Sequence, residues 1–207
     1  MSKIILDLCG GTGSWSKPYK EAGYDVRIIT TPEYDVTRWR DYPELVSLIS
    51  SGKVYGVLAA PPCTMFSMAR TVAKTPRDMR TALKIVNACL EIIAECQYDS
   101  GRLSFWAIEN PKARLRWFLG KPLHTFTPSD YGDPHSKPTD IWGYYNAALK
   151  KNPIELNAVQ RKQSQLNSRE LPPLPEGYEL PPDMNKVAAR RSITPKGFAE
   201  AFYRANR

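Results

Sequence analysis

Val54-Tyr55-Gly56-Val57-Leu58-Ala59-Ala60-Pro61-Pro62-Cys63 is an apolar run closed by two prolines and a cysteine. A continuous apolar run of this length, with β-branched residues, reads as a buried strand. Proline cannot continue a central strand, so the chain must leave the sheet at Pro61 in a stiff conformation. The thiol of Cys63 is then held at the carboxyl edge of the sheet, where ligands bind in open α/β folds. Such fixity suits a nucleophile. An inert buried cysteine at a strand end would carry the same letters, so the motif alone leaves both readings open.

Two other apolar runs end in chemistry. Lys3 to Leu8 predicts a strand, followed by Asp7-Leu8-Cys9-Gly10-Gly11-Thr12-Gly13-Ser14-Trp15 and a helix starting near Ser14. Strand, glycine-rich turn and helix form a cofactor-loop pattern, because glycines let backbone approach a ligand closely. The full Gly-x-Gly-x-x-Gly fingerprint fails at Ser16, and no Gly-Lys-Ser/Thr follows to make a phosphate loop. Asp7 would suit a cationic or amino-bearing ligand. Leu103 to Ile108 predicts another strand, ending at Glu109-Asn110-Pro111, an acid beside a proline stop.

Between these lie a strand at Asp25–Thr30, with Glu33 and Asp35 after it, and a helix at Tyr42–Ile49. Thr75-Pro76 reads as the start of a helix reaching about Cys96, with Met79, Leu83, Val86, Leu90 and Ile93 on one face. Arg70, Lys74, Arg77 and Arg80 precede or open it against the single acid Asp78, a basic loop suited to phosphates. A short strand Ile141–Gly143 follows the loop Tyr131–Asp140. Residues 150–187 are rich in Pro, Lys, Gln and Asn and show little periodicity, an irregular excursion. Thr194-Pro195 predicts the cap of a final helix with Phe198, Ala201, Phe202 and Ala205 inward.

The 207 residues, 42% hydrophobic and 24% charged, are ordinary for one globular domain with a full core. No apolar run approaches the roughly 18 residues of a membrane span, and Asp7 interrupts the N-terminal run too early for a signal peptide. Four cysteines without a Cys-x-x-Cys pair, and two histidines, exclude zinc spacing. Cys89 and Cys96 share a helical face and read as core. Free thiols point to a reducing cytoplasm. Net charge is +8, yet residues 1–99 carry 12 Lys and Arg against 11 acids, while residues 100–207 carry 17 against 10. That asymmetry suggests a polyanion partner met by one end of the molecule.

Asp-Leu-Cys-Gly-Gly-Thr-Gly-Ser-Trp, Ala-Pro-Pro-Cys and Ile-Glu-Asn-Pro, in this order and spacing, resemble the DNA cytosine-5 methyltransferase family. The resemblance covers roughly residues 3–143 and is closest to a small, phage-like member working in the cytoplasm of a bacterial or phage-infected cell. It implies an α/β fold: a Rossmann-like, mostly parallel sheet with helices on both faces, residues 1–207 forming a single methyltransferase domain. S-adenosylmethionine is the implied cofactor, near Asp7, Cys9, Gly10, Gly11, Thr12, Gly13, Trp15, Glu33, Asp35 and Pro61. DNA is the implied partner, with no membrane and no metal. Cys63 would add to carbon 6 of cytosine while Glu109 protonates nitrogen 3, a covalent mechanism with a carboxyl partner. Lys137 would stand at the catalytic centre, with Arg70, Lys74, Arg77, Asn110, Thr139 and Arg161 toward substrate.

This chain departs from the family in three places. The usual Tyr-Gly-x-Pro-Gln-x-Arg-x-Arg is Tyr131-Gly132-Asp133-Pro134-His135-Ser136-Lys137-Pro138-Thr139 here, so Lys137 and Thr139 replace both arginines. The usual Glu-Asn-Val is Glu109-Asn110-Pro111, and the ribose-binding acid is displaced to Glu33. Only the small, irregular, basic segment 144–190 is available where the family carries a large target-recognition region, which calls for loose recognition or a helper protein. A relative acting on RNA or transferring another group to the same carbon is an alternative, as is a catalytically silent nucleic-acid-binding protein of this fold.

Overall fold

The computed structural model describes residues 2–68, 70, 73–99, 103–157, 171–180 and 184–207. Four apolar segments become parallel strands: β1 (Ile4–Leu8), β2 (Asp25–Ile29), β3 (Val54–Ala59) and β4 (Phe105–Pro111). The sheet order β2-β1-β3-β4 continues through β6 (Thr139–Tyr144) to β5 (His124–Phe126), each antiparallel to its neighbour. Because β1 lies between β2 and β3, the chain winds outward one way and then the other. The reversal opens a crevice at the carboxyl ends of β1 and β3, the place where ligands bind in such sheets.

Helices cover both faces, and side-chain alternation along the strands decides which residue meets which layer. Leu6, Leu8, Val57 and Ile108 belong to a core with the 3-10 helix Val36–Asp41, α2 (Pro43–Ile49) and α3 (Met79–Ala94). Ile5, Leu58, Phe105 and Ala107 face the other way, into a core with Tyr19 of α1 (Lys17–Glu21) and the last helix, Lys196–Ala205. Helix α5 (Lys186–Ser192) precedes that one, which is therefore α6. Phe198 stacks on Phe126 at 4.0 Å between centroids, and Phe202 meets Trp15 and Phe105 edge-on at 5.4 and 5.7 Å. Such pairs add about 0.5–1.5 kcal/mol each beyond burial. A third, smaller core joins Phe66 and Val86 to Leu115 and Trp142, fastening the loop after Cys63 to α3 and to α4 (Arg116–Leu119).

Several boundaries differ from the sequence expectation, each for a local reason. The first helix begins at Lys17, not Ser14, since Ser16 donates its hydroxyl to Asp7 rather than capping. Helix α3 begins at Met79 because Asp78, not Thr75, caps it by accepting from Thr81 N at 3.0 Å. Its inward face carries Ala82, Val86, Cys89 and Ile93, while Leu83 and Leu90 are only partly buried. Strand β4 runs through Pro111, which pairs with Thr139 at the end of the ladder. The final helix lacks a side-chain cap from Thr194. The sequence reading held no strand at β5 and no helix at α5; both are short, and α5 begins at the end of the segment read as irregular and runs beyond it.

Among the described residues no helix is long and apolar enough to cross a membrane. Phe202 is fully buried between both aromatic layers, so Phe202→Ala should cost about 3–5 kcal/mol. Urea unfolding should show a lower midpoint with an unchanged slope.

Candidate active site

Two loops at neighbouring strand ends meet through one buried hydrogen bond. Asn110, on β4 and wholly buried, donates from Nδ2 to the carbonyl of Pro61 at 2.8 Å. The β3–β4 register pairs Ala59 with Ile108, which sets Glu109 and Asn110 beside the chain leaving β3. Beyond Pro61 the chain turns tightly, Phe66 N and Ser67 N both donating to the carbonyl of Cys63 at 3.0 and 2.8 Å. Cys63 is thus half-buried on a pinned turn. Asn110 braces the thiol's loop as well as its own strand.

Lys137 is the third member. Burial pushes the Cys63 thiol up, Lys137 draws it down, and Glu109 pushes it up again. Glu109 is likewise raised by burial, lowered by Lys137 and raised further by Asp140. Lys137 thus acts on both groups, and Glu109 acts on Cys63. Lys137 is tethered: its Nζ donates to Arg191 O at 3.2 Å, and its own carbonyl accepts from Thr139 Oγ1 at 2.8 Å. Thr139, expected toward substrate, is 2% exposed, and its hydroxyl serves the Lys137 backbone. Asp140 is fully buried and gripped by Arg116 through Nε and Nη2, at 2.6 and 2.5 Å. A thiol, a carboxyl raised by burial and a cation that acts on both can support nucleophilic addition coupled to proton transfer.

The glycine loop is built tightly around Asp7. A Cβ on Gly10 would lie 2.5 Å from the Asp7 carboxyl carbon, and one on Gly13 would lie 2.6 Å from Ile28 Cδ1. Gly13 also has φ of 67°, a left-handed value that side chains disfavour. Ser16 donates to one Asp7 oxygen at 2.5 Å, while Oδ1 has no partner among the described residues. Burial lifts this carboxyl to about 6, against the Ser16 bonds that lower it. Cys9 ends β1 in a left-handed conformation and packs near the buried Cys89, with burial and that neighbour raising its thiol. Trp15, expected at the ligand, is instead a core residue beside Phe198 and Phe202.

A cavity of about 1040 Å³ runs from Thr12, Gly13 and Ser14 across α1 to Lys137, with Arg190, Arg191, Thr194 and Lys196 on its far wall. Lys137 thus joins the cavity to the thiol. Of the residues expected at the cofactor, Thr12 and Gly13 line it, whereas Asp7, Cys9, Gly10, Gly11, Trp15, Glu33, Asp35 and Pro61 do not. Asp35 caps the 3-10 helix, accepting from Thr37 N and Oγ1 at 2.9 and 2.8 Å, and Glu33 is exposed. Ser16, His135, Arg190, Arg191 and Thr194 escaped the sequence reading. Ser16 follows the glycine loop directly and Thr194-Pro195 had a local signal; His135, Arg190 and Arg191 meet the loop from segments distant in the chain.

The basic loop is more committed than its composition suggested. Arg77 donates to the carbonyls of Met65, Ser67 and Arg70, and Arg70 donates to Thr75, so both guanidiniums shape the loop. Lys74 is exposed. Arg161 lies outside the described residues. Among the described residues no three His, Cys, Asp or Glu side chains converge as a metal site.

No protein-family model matches the chain. No curated protein matches it either. Among solved structures, the Entamoeba histolytica methyltransferase EhMeth is similar at 11% identity and a TM-score of 0.40, over 76% of this chain. The match spans 57% of that protein's chain, and so faint a likeness decides nothing about activity.

Two outcomes follow from the charges. Lys137→Met removes the group that lowers Cys63, so alkylation of Cys63 by iodoacetamide, followed by mass spectrometry, should slow at pH 8 and its inflection should move to higher pH. Asp7 binds its proton more tightly folded, at about 6, than unfolded, at 3.8. Its contribution to stability is whole below about pH 4 and is lost as pH rises through about 6, a penalty of about 3 kcal/mol at pH 7. Asp7→Asn should therefore raise the melting temperature at pH 7.5 and leave it nearly unchanged at pH 4.

Proposed function

We propose that this protein is an S-adenosylmethionine-dependent methyltransferase that modifies carbon 5 of cytosine in DNA through a covalent adduct with Cys63. The observation that carries the reading is that Cys63 and Glu109 stand at adjacent strand ends joined by the Asn110–Pro61 hydrogen bond, with Lys137 acting on both. A silent binding protein has no use for a thiol and a raised carboxyl on one pinned pair of loops.

The residues present fit the cofactor. Its ammonium could be accepted by the unpartnered Asp7 Oδ1, beside a loop where Gly10 and Gly13 leave no room for a side chain. The adjoining cavity, reaching Lys137, has the size class of a small-molecule site. When bound, S-adenosylmethionine supplies an electrophilic methyl group on a sulfonium sulfur.

The chain's own residues do the rest. The Cys63 thiolate forms a bond to carbon 6 while the Glu109 carboxyl delivers its proton to nitrogen 3, and the ring electrons move to carbon 5. Once carbon 5 has gained its methyl group, the sulfonium being left as a neutral thioether, a water molecule takes the carbon 5 proton. The carbon 5–carbon 6 double bond re-forms, the carbon 6–sulfur bond breaks, and its electron pair returns to Cys63. Nitrogen 3 gives its proton back to Glu109. Burial raises Glu109 and so favours its acid form, while Lys137 lowers the Cys63 thiol against the larger effect of burial that raises it. In duplex DNA the base must first leave the stack.

An oligonucleotide carrying 5-fluorocytosine tests this directly, because elimination cannot expel fluorine and the adduct persists. Denaturing gels should show a cofactor-dependent adduct that Cys63→Ala abolishes. Glu109→Gln should slow methylation of ordinary DNA roughly 10²–10⁴-fold with cofactor binding retained. Methylation by Cys63→Ala, or an adduct formed on RNA alone, would overturn the reading.

A further inference from the structure

Beside the candidate centre lies an exposed aromatic and cationic face that the chemistry above does not use. Trp117 is 73% exposed, Met68 58% and Phe118 47%. Arg114 sits among them, its Nη1 3.2 Å from Met68 Sδ and its guanidinium carbon 5.5 Å from the Trp117 ring centre. Isolated exposed apolar residues are ordinary. Here two large ones, Met68 and Trp117, flank one guanidinium, and Phe118 follows Trp117 in the chain.

The face is rigidly mounted at both ends. Met68 lies five residues after Cys63, and Arg114 N donates to Phe66 O at 3.3 Å, joining the thiol's loop to the chain after Glu109. The wholly buried Phe66 lies beneath, 6.4 Å from the Phe118 ring. Arg116, next to Trp117, is clamped onto buried Asp140, and Trp142 Nε1 donates to Gly120 O at 3.0 Å just beyond. A tryptophan on so firm a turn, yet open to water, is held out by its mounting.

Charge says what it meets. Arg77, besides its own desolvation, feels the like charges of Arg114 and Arg70, so three guanidiniums crowd this side. Their repulsion is relieved by an anion, and an indole offers a flat π surface to a flat partner. Aromatic faces interleaved with cations are how proteins hold unpaired nucleobases whatever their identity.

We infer that Trp117, with Arg114 and Met68, is a stacking platform for an unpaired nucleobase of the strand that reaches Cys63. This rests on the nucleic-acid reading of the centre. The platform receives a base next to the target, and Arg114 meets the adjoining phosphate.

The test uses the full chain and a fluorescein-labelled single-stranded DNA with one 5-fluorocytosine, read by anisotropy, tryptophan quenching and adduct formation. Trp117 is exposed, so Trp117→Ala should keep the native circular dichroism spectrum. It should weaken binding roughly 5- to 150-fold, the range for one lost stacked base, without changing the salt slope. Trp117→Phe should restore affinity to within about threefold, and Arg114→Gln should lower the log–log salt slope by about 0.7. Equal affinity of Trp117→Ala and wild type, with adduct formation intact, would overturn the platform and leave the centre standing. The same holds if Trp117→Ala only abolishes self-association or capture of a protein partner. No binding and no adduct with the wild-type chain would overturn both.

Discussion

Asn110 Nδ2 to Pro61 O, 2.8 Å and wholly buried, is the bond that makes two strand ends into one site. A hydrogen bond of this kind contributes only about 0.5–1.5 kcal/mol net, but losing one partner inside the core costs about 1–3 kcal/mol. Its place matters more than its strength. Pro61 lies two residues before Cys63, and Asn110 directly follows Glu109, so one contact fixes the separation of thiol and carboxyl. The prolines stiffen one side and the β4–β6 ladder stiffens the other.

Around that bond the centre works against its own burial. Desolvation raises Cys63 and Glu109, and Asp140 adds a further push on Glu109. Lys137 opposes both, and its position is inherited from distant parts of the chain: Thr139 on β6 holds its backbone, and the Arg191 carbonyl in α5 receives its ammonium. A buried Asp140 is tolerable because Arg116 grips it with two bonds, for breaking such a pair inside a protein is costly. The same pair steadies the turn bearing Trp117. Charge balance and loop geometry are thus one construction.

The molecule closes on itself through its last helix. Phe198 and Phe202 complete the aromatic core on the α1 face, and the residues just before them form the wall of the cavity opposite the glycine loop. The end of the chain therefore supports both packing and the candidate ligand site. Asp7 records the tension between the two, a carboxyl kept buried at a cost to stability near neutral pH.

Apolar runs ending in Cys9-Gly10, Pro61-Pro62-Cys63 and Glu109-Asn110-Pro111 determined by themselves three of the four inner strands of the sheet and the residues at their carboxyl ends. Burial on both faces leaves a continuous hydrophobic signature, and glycine and proline punctuate it locally. Strand β5, only three residues long, and helix α5, following a proline-rich stretch, have no such signature; β6 pairs with the first, and Arg190 of the second donates to the carbonyls of Leu171 and Pro172. Charge was legible only as composition. Whether Arg77 meets a phosphate or three carbonyls, whether Thr139 faces out or inward, and whether Trp15 meets ligand or core depend on partners far along the chain. A cation's nearest acceptors, and the water a side chain loses, are properties of the packed molecule, and so only the tertiary structure decided which of these polar and aromatic residues build the loops and which remain free to act.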